Sequence, residues 1–356
     1  MNLKIIDRYL WSATLQGMFI AWLALVLLDV FFAFISEAEK TNALYTTAQA
    51  TVYLIYTLPA RFYEFFPNAA LIGTLLGLGN LAANSEFVAM RAAGLSISRI
   101  IFSIVKLGLI LATLLFVLGE WVVPNTDLQA RNFKAKLKNK NIVLVGGAGL
   151  WVKEKNSVIN IGSVISSKQV SDVSIYTFKD DHSGLQSLTE VKNATANKDG
   201  WDFKQITTTE FEKLGVIKNR DAAASSINFV DPGILETATV DPNQLSSSAL
   251  TKFIEYQKEN DIKTDKYELI YWKRFSIPLS AIVMLILAMP FLFGSNRGGG
   301  AGQRVFIGIV VGIVFYLANR SVNELGIVYG FSPIASAFFP SLLFFAIGLL
   351  ALRRVN

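Results

Sequence analysis

The 356-residue sequence contains no cysteine and a single histidine, His182. A chain without cysteine forms no disulfide, no thiolate metal site and no cysteine nucleophile. Any Ser-His-Asp triad or histidine-ligated metal site would depend on His182 alone. This residue stands among acidic and turn-forming residues, so we expect it to be a solvated loop histidine.

Charged residues are also scarce: they make up 17% of the chain, against 52% for hydrophobic residues. A soluble domain usually has about 25% charged residues. The depletion therefore argues against a soluble globular protein and against a disordered one. The region from residue 125 to residue 270 has 19 basic and 19 acidic residues, so the net charge of +6 lies outside it. Without a net basic surface there, we expect no binding of nucleic acid.

Long uncharged runs occupy the two ends of the sequence. A membrane-spanning helix needs about 20 mostly apolar residues. Six stretches meet this requirement: 12–35, 57–82, 100–122, 271–293, 305–325 and 332–352. We do not interpret the first as a cleavable signal peptide, because its apolar run is too long and it lacks a small-residue cleavage site.

The order of these stretches predicts three parts. Residues 1–124 form spans one to three, residues 125–268 form a soluble domain, and residues 269–356 form spans four to six. With the N-terminus in the cytoplasm, nine basic residues flank the spans on the inner side and five on the outer side. This distribution favours that orientation and places the soluble domain in the periplasm.

The soluble domain has the pattern of a β structure. Residues 157–165, 173–178 and 201–211 alternate apolar with polar or small residues, and turn-forming residues separate them. Short strands at this spacing indicate an all-β sandwich or a jelly-roll-like fold. Near the end of the domain, Leu245 to Gln257 fit one helix, with Ser246 or Asp241-Pro242 as its cap.

Five apolar side chains are candidates for the inner face of this β domain. They either line an open trough for acyl chains or fill a closed core, and the sequence gives both interpretations nearly equal weight: Val158, Ile161, Ile175, Phe178 and Phe203.

Residues 84–98, between spans two and three, indicate a short amphipathic helix. Ser85 stands at its start, Phe87 and Met90 share one face, and Gly94 ends it. It is either a connector on the lipid surface or a docking helix for a cytoplasmic partner. The glycine-rich runs 146–149 and 298–302 lack the Gly-Lys-Ser/Thr ending of a phosphate loop, so we interpret them as a turn and a flexible loop.

Several motifs together resemble the YjgP/YjgQ permease family, the paired membrane subunits of the lipopolysaccharide exporter. They are Ser85-Glu86-x-x-x-Met90-x-Ala92-x-Gly94, the opening Asp7-Arg8-Tyr9, Phe66-Pro67 with Leu76-Gly77-Leu78-Gly79, Gly119-Glu120-Trp121, Gly149-Leu150-Trp151 and Val328-Tyr329-Gly330. The resemblance extends over the whole chain and agrees with the arrangement of three spans, a domain and three spans.

The resemblance implies an inner-membrane permease subunit that extracts lipopolysaccharide. Its partners would be the LptF paralogue, a dimer of the ATPase LptB in the cytoplasm, and LptC and LptA in the periplasm. The chain would bind no cofactor, because ATP belongs to the partner ATPase. Spans one and five would line lateral gates, and the short helix would couple to the ATPase through Glu86, Phe87, Met90, Arg91, Ala92 and Gly94.

Basic residues near the outer ends of the spans are candidate contacts for lipid phosphates: Lys40, Arg61, Lys273, Arg274 and Arg320. Ionisable residues inside a membrane are costly, and they are functional candidates for that reason. The alternative is local pairing, of Arg61 with Glu64 and of Arg320 with Glu324. We expect Asp29 to pair with one of these bases.

Two other functions stay open at this point. A membrane-embedded enzyme that modifies envelope lipids should carry a cluster of His, Asp or Glu at one face of the membrane. The acidic residues of the spans are scattered instead, and histidine is missing from them. A purely structural scaffold is the third interpretation. We therefore expect a non-catalytic subunit of an ATP-driven transporter.

Overall fold

The computed structural model describes residues 3–42, 45–137, 150–154, 156–166, 169–179, 184–197, 200–211, 217–222, 242–260, 262–293 and 301–354. The chain divides into two compact units, one made of Met1–Arg131 with Asp265–Asn356 and the other of Asn132–Thr264. These limits lie a few residues inside the predicted borders of the soluble domain. His182 and residues 146–149 and 298–300 lie outside the described residues, so the predictions for them stay predictions.

Helices make up the first unit, and the described residues of the second unit include one further α-helix after the strands. Their bounds are α1 Leu3–Ala38, α2 Thr47–Ala83, α3 Glu86–Ala92, α4 Ile97–Val117, α5 Val123–Leu137, α6 Ser247–Glu259, α7 Asp265–Phe293, α8 Ala301–Tyr329 and α9 Pro333–Arg353. Six helical segments are long and apolar enough to cross a membrane, which confirms the six predicted spans. Ala301 and Gly302, predicted as loop, belong to the first turn of α8, which begins one turn before the apolar pattern that starts at Val305.

The third span is longer than predicted. A π-helical turn, Leu118–Val122, joins α4 to α5 without a break, so that one helical segment runs from Ile97 to Lys134. Pro124 lacks the N–H that an α-helix needs, and its ring crowds the carbonyl group of Glu120. The wider turn before Pro124 accommodates this, and the helix continues beyond residue 122, where the predicted span ended.

The core of the helical unit is centred on α2 and α7. In each of these two helices, 67% of the most apolar 18-residue window is buried, against 17% in both α1 and α8. Met284 and Met289 of α7 are fully buried among aliphatic side chains of α2 and α4. Helices α1 and α8 therefore leave most of their apolar surface uncovered by this chain.

The backbones of α1 and α2 touch where both carry small residues. A β-carbon on Gly77 would overlap the carbonyl oxygen of Ala13, and one on Gly73 would overlap the backbone of Met18. Gly17 faces Gly73 and Gly77 in the same way. Small residues four apart allow this close approach, which is the usual basis of helix association in a membrane.

The second unit contains a six-stranded antiparallel sheet in sequential order. Its strands are β1 Leu150–Glu154, β2 Ser157–Ser166, β3 Gln169–Phe178, β4 Leu185–Asn197, β5 Gly200–Phe211 and β6 Ile217–Ala222. The three predicted strands are confirmed as β2, β3 and β5. The sequence pattern did not predict β1, β4 and β6, because apolar and polar residues alternate too weakly in these three strands. The expected membrane α-helical fold with an inserted β domain is confirmed.

One face of this sheet is buried. Ile161, Ile175 and Phe203 belong to its core together with Trp201, which is fully buried. Val158 and Phe178 are only partly buried, so placing them on the inner face was wrong. In β2 the neighbouring residue Ile159 faces inward instead, and two adjacent apolar residues cannot share one face of a strand.

The alternation shifts by one residue within the sheet. Asp172 in β3 and Gln205 in β5 have positive φ angles of 54° and 57°. Buried positions on either side of them are three residues apart, as with Val170 and Val173. The left-handed conformation turns the chain locally, so the buried side chains before and after it, such as Val170 and Val173, reach the same core. A pattern of strict period two cannot predict this shift.

Helix α6 confirms the helix predicted near residues 245–257. The Ser246 hydroxyl accepts a hydrogen bond from the Ala249 N–H at 3.2 Å, which caps the first turn. Phe253 and Ile254 are buried, and Tyr256 packs against the core of the sheet. The helix thus belongs to the β unit.

Candidate functional site

Helix α3 lies between α2 and α4 and is fixed to the helical unit by its inner face. Phe87 is 5% exposed, and its ring contacts Phe293 of α7 with a centroid distance of 5.1 Å. Met90, one turn later, packs against the same core. The predicted pairing of Phe87 and Met90 on one face is confirmed, and it holds this short helix in a defined position.

The outer face of α3 is open. Val88 is 56% exposed, and Arg91 and Ala92 are exposed as well. An exposed valine beside an arginine on a helix held by its opposite face offers both an apolar and a charged contact. Of the residues predicted to couple to a partner, Arg91 and Ala92 therefore form the accessible surface, and Phe87 and Met90 support it from behind.

Left-handed residues stand at both ends of α3. Ser85 occupies the N-cap position, as predicted, with φ 58°. Its hydroxyl makes no capping hydrogen bond, so the side chain does not cap the helix. Gly94, with φ 91°, donates its N–H to the Arg91 carbonyl at 2.9 Å, and Leu95 donates to Met90 at 3.0 Å. These two bonds close the helix in a Schellman motif, which strongly favours glycine at this position.

We expect Gly94→Ala to loosen α3. A β-carbon there would meet no neighbouring atom, so the cost is conformational alone, roughly 1 kcal/mol for a left-handed alanine. Hydrogen–deuterium exchange should quicken at the amides of Gly94 and Leu95 and stay unchanged in α2. Gly302→Ala, also in open space but in a helical turn, is the control. Equal exchange in both variants would contradict this prediction.

Two side chains of α1 reach the residues around α3. The Tyr9 hydroxyl donates a hydrogen bond to Glu86 Oε2 at 2.7 Å. Arg99 Nη2, in the first turn of α4, donates to Asp7 Oδ2 at 2.9 Å. Both contacts join elements far apart in sequence, and neither was predicted from the sequence pattern.

Three of the candidate lipid-phosphate residues form ion pairs with carboxylates at the other end of the helical unit: Arg61, Arg274 and Lys40. Arg61 pairs with Asp29, which confirms Asp29 as the partner of a base and replaces the predicted pairing of Arg61 with Glu64. Arg274, only 7% exposed, donates to Glu120 Oε2 at 2.9 Å. The pairing satisfies both guanidinium groups in a setting where an isolated charge would be costly.

Lys273 lies beside Arg274 on α7 and is partly buried. Arg320 is exposed on α8. Among the described residues it forms no ion pair with Glu324, and its guanidinium lies 3.5 Å from the Tyr316 hydroxyl.

Lys40 lies just beyond α1. Its Nζ atom is 3.3 Å from Glu37 Oε2, and its side chain is 51% exposed. The Tyr45 hydroxyl donates to Glu37 Oε1 at 3.1 Å. Burial, together with the Glu37 carboxylate, raises the pKa of Tyr45 well above its ordinary value. Tyr45 therefore keeps its proton at neutral pH, while Lys40 presents its ammonium group to the surroundings.

A second kind of signal could have found some of these contacts. Gly73 and Gly77 are four residues apart in an apolar helix, which marks a helix-packing face. Glu120 is the only acidic residue between Ile100 and Val123, so it needed a buried basic partner. The identity of that partner depends on how α4 and α7 pack, which the local sequence does not determine.

The fold defines a class of protein. Within the described ranges no group of three or more His, Cys, Asp or Glu residues could hold a metal ion. Six helices of the described residues are long and apolar enough to span a membrane, and the β domain is inserted in the sequence between the third and the fourth of them. This is the arrangement of a membrane permease component with an extramembrane β domain.

Comparison with known proteins identifies the family. The profile of the family described as "Lipopolysaccharide export system permease LptF/LptG" matches residues 8–354, and the chain belongs to this family. The chain is 32% identical to the lipopolysaccharide export system permease protein LptG of Haemophilus influenzae over 342 residues, 95% of each chain. It is 31% identical to the protein of the same name from Escherichia coli K12 over 354 residues, 98% of each chain.

Proposed function

We propose that this chain is the LptG-type permease subunit of an ABC exporter that extracts lipopolysaccharide from the inner membrane. Family membership over residues 8–354 carries this proposal. The relatives of highest identity given above are both named LptG, which favours that subunit over its LptF paralogue. The chain is then a non-enzymatic component, and the paralogue completes the membrane part.

The uncovered faces of α1 and α8 support a lateral path for lipid. Each exposes a row of large apolar side chains, among them Phe19 and Phe31 on α1 and Phe306 and Val328 on α8. A lipid or a second subunit covers such surfaces in a bilayer. These two helices correspond to spans one and five, where the gates of the exporter are proposed.

The orientation follows from the position of α3. We place this helix in the cytoplasm, where its outer face with Val88, Arg91 and Ala92 receives one subunit of an LptB-type ATPase dimer. The β unit then lies in the periplasm and passes the lipid toward LptC and LptA. ATP is bound by the ATPase, and this chain needs no cofactor of its own.

Purification of the intact complex tests this function. The chain should co-purify with an LptF-type subunit and an LptB-type ATPase, and bound lipopolysaccharide should be detected by mass spectrometry. ATP hydrolysis by the reconstituted complex should depend on this chain and rise with added lipopolysaccharide. A lipid product altered by this chain without the ATPase would point to an envelope enzyme. Assembly with no effect on ATP hydrolysis would point to a scaffold.

Arg320 is the strongest remaining candidate for contact with a lipid phosphate, because it is exposed and forms no ion pair within the described part of the chain. We expect Arg320→Ala to lower lipopolysaccharide-stimulated ATP hydrolysis by roughly tenfold, as for the loss of a charged hydrogen bond, with basal hydrolysis unchanged. Arg320→Lys should recover part of the stimulation. Equal loss of basal and stimulated rates would show that the residue supports the structure instead. Lys40 and Lys273 are weaker candidates.

A further inference from the structure

The motif Asp7-Arg8-Tyr9 near the start of α1 has no role in the function proposed so far. Its first and third side chains contact two different elements. Asp7 Oδ2 accepts a hydrogen bond from Arg99 at 2.9 Å, and the Tyr9 hydroxyl donates to Glu86 at 2.7 Å. Arg8, between them, is exposed.

These two contacts bracket the segment that joins α2 to α4. Glu86 is the first residue of α3, and Arg99 lies in the first turn of α4. Positions two apart on an α-helix point about 160° away from each other. One turn of α1 therefore contacts the connecting segment near both of its ends, and a rotation of α1 about its axis would alter both contacts.

We propose that Asp7 and Tyr9 are positioning residues that transmit movement between α3, where the ATPase docks, and α1, which faces the lipid path. This inference rests on the proposed function and deepens it. Helix α1 is covered by its own chain over only 17% of its most apolar window. Helix α1 also contacts α2 through Gly17, but the contacts of its first turns with Glu86 and Arg99 are the ones that would carry a change in the position of α3 to α1.

The exposed fractions of the contacting side chains indicate how much each contact contributes to the stability of the fold. The Tyr9 side chain is 45% exposed, and the side chains of Arg99 and Asp7 are 26% and 17% exposed. The Tyr9 hydroxyl is at the surface, where a hydrogen bond adds little to stability, so Tyr9→Phe should leave the fold intact. The Asp7–Arg99 pair is more buried, and Asp7→Asn is chosen because it keeps the shape of the side chain and an oxygen that accepts from Arg99 while it removes the charge.

Tyr9→Phe and Asp7→Asn test the proposal in the complete exporter. The complex is reconstituted in vesicles that contain lipopolysaccharide, with LptC and LptA as acceptors, and transfer and ATP hydrolysis are measured together. We expect the amount of lipid transferred per ATP to fall about fivefold or more in the double variant. A fivefold change is at the lower end of the range found for allosteric coupling. Its rate of ATP hydrolysis should stay close to that of the unaltered complex.

Three further variants control this result. Tyr329→Phe removes the same hydroxyl at the opposite end of the unit, and Arg8→Gln alters the exposed member of the motif. Both should leave transfer per ATP unchanged. Asp7→Arg should lower transfer per ATP, and adding Arg99→Asp should restore much of it, because the exchanged pair can form the same contact.

The proposal is overturned if the double variant loses hydrolysis and transfer in the same proportion, or if neither changes. It is also overturned if the exchanged pair restores nothing although the complex assembles. Failure of the unaltered complex to hydrolyse ATP in response to lipopolysaccharide would instead overturn the proposed function. The two failures are therefore distinguishable in one set of measurements.

Discussion

Gly77→Val should prevent stable packing of α1 against α2. A β-carbon at this position would overlap the Ala13 carbonyl oxygen and lie 3.2 Å from the Thr14 Cα atom. Overpacking against side chains costs typically 1–3 kcal/mol. A backbone cannot move aside like a side chain, so we expect roughly 3 kcal/mol or more. The variant should be lost from the monodisperse fraction after extraction in mild detergent.

A graded series makes this prediction specific. Gly77→Ala should lower the unfolding temperature in detergent, and Gly77→Val should lower it further, since each added atom meets backbone. Gly302→Val places the same side chain where no atom lies within 4 Å and should behave like the unaltered chain. Equal unfolding temperatures in all three variants would contradict a backbone contact between α1 and α2.

The sequence predicts the spans well because a bilayer imposes one simple requirement, a long apolar helix. It fails where that requirement is satisfied in an unexpected way. The helix from Ile97 to Lys134 continues past Pro124 through a π-helical turn. The wider π-helical turn accommodates the proline within one continuous helix, and the pattern of apolar residues does not predict such a turn.

The candidate sites were predictable in type but less so in detail. The helix at residues 84–98 was predicted with its inner face, because Phe87 and Met90 are one turn apart. The partners of Arg61 and Arg274 were missed, because Asp29 and Glu120 lie on other helices. Such pairs depend on how whole helices pack, and an i,i+3 or i,i+4 rule finds only neighbours on the same helix.

Removing one member of the buried pair Arg274–Glu120 should be strongly destabilising. Arg274 is 7% exposed and its guanidinium lies 2.9 Å from the Glu120 carboxylate. Arg274→Leu removes the base that faces the Glu120 carboxylate, and Glu120→Leu removes the acid that faces the Arg274 guanidinium. Breaking a buried ion pair in this way costs about 3–5 kcal/mol. Each single variant should therefore unfold at a clearly lower temperature in detergent.

The double variant Glu120→Leu with Arg274→Leu decides what the pair does. Replacing both charges by apolar groups of similar size is often close to neutral, so we expect its unfolding temperature to recover most of the loss. If the pair only supports the structure, the double variant keeps lipopolysaccharide-stimulated ATP hydrolysis, and this is the result we expect. A stable double variant that has lost the stimulation would instead assign Arg274 to the lipid phosphate. A double variant as unstable as the singles would contradict the pairing, because the two charges would then act independently of each other.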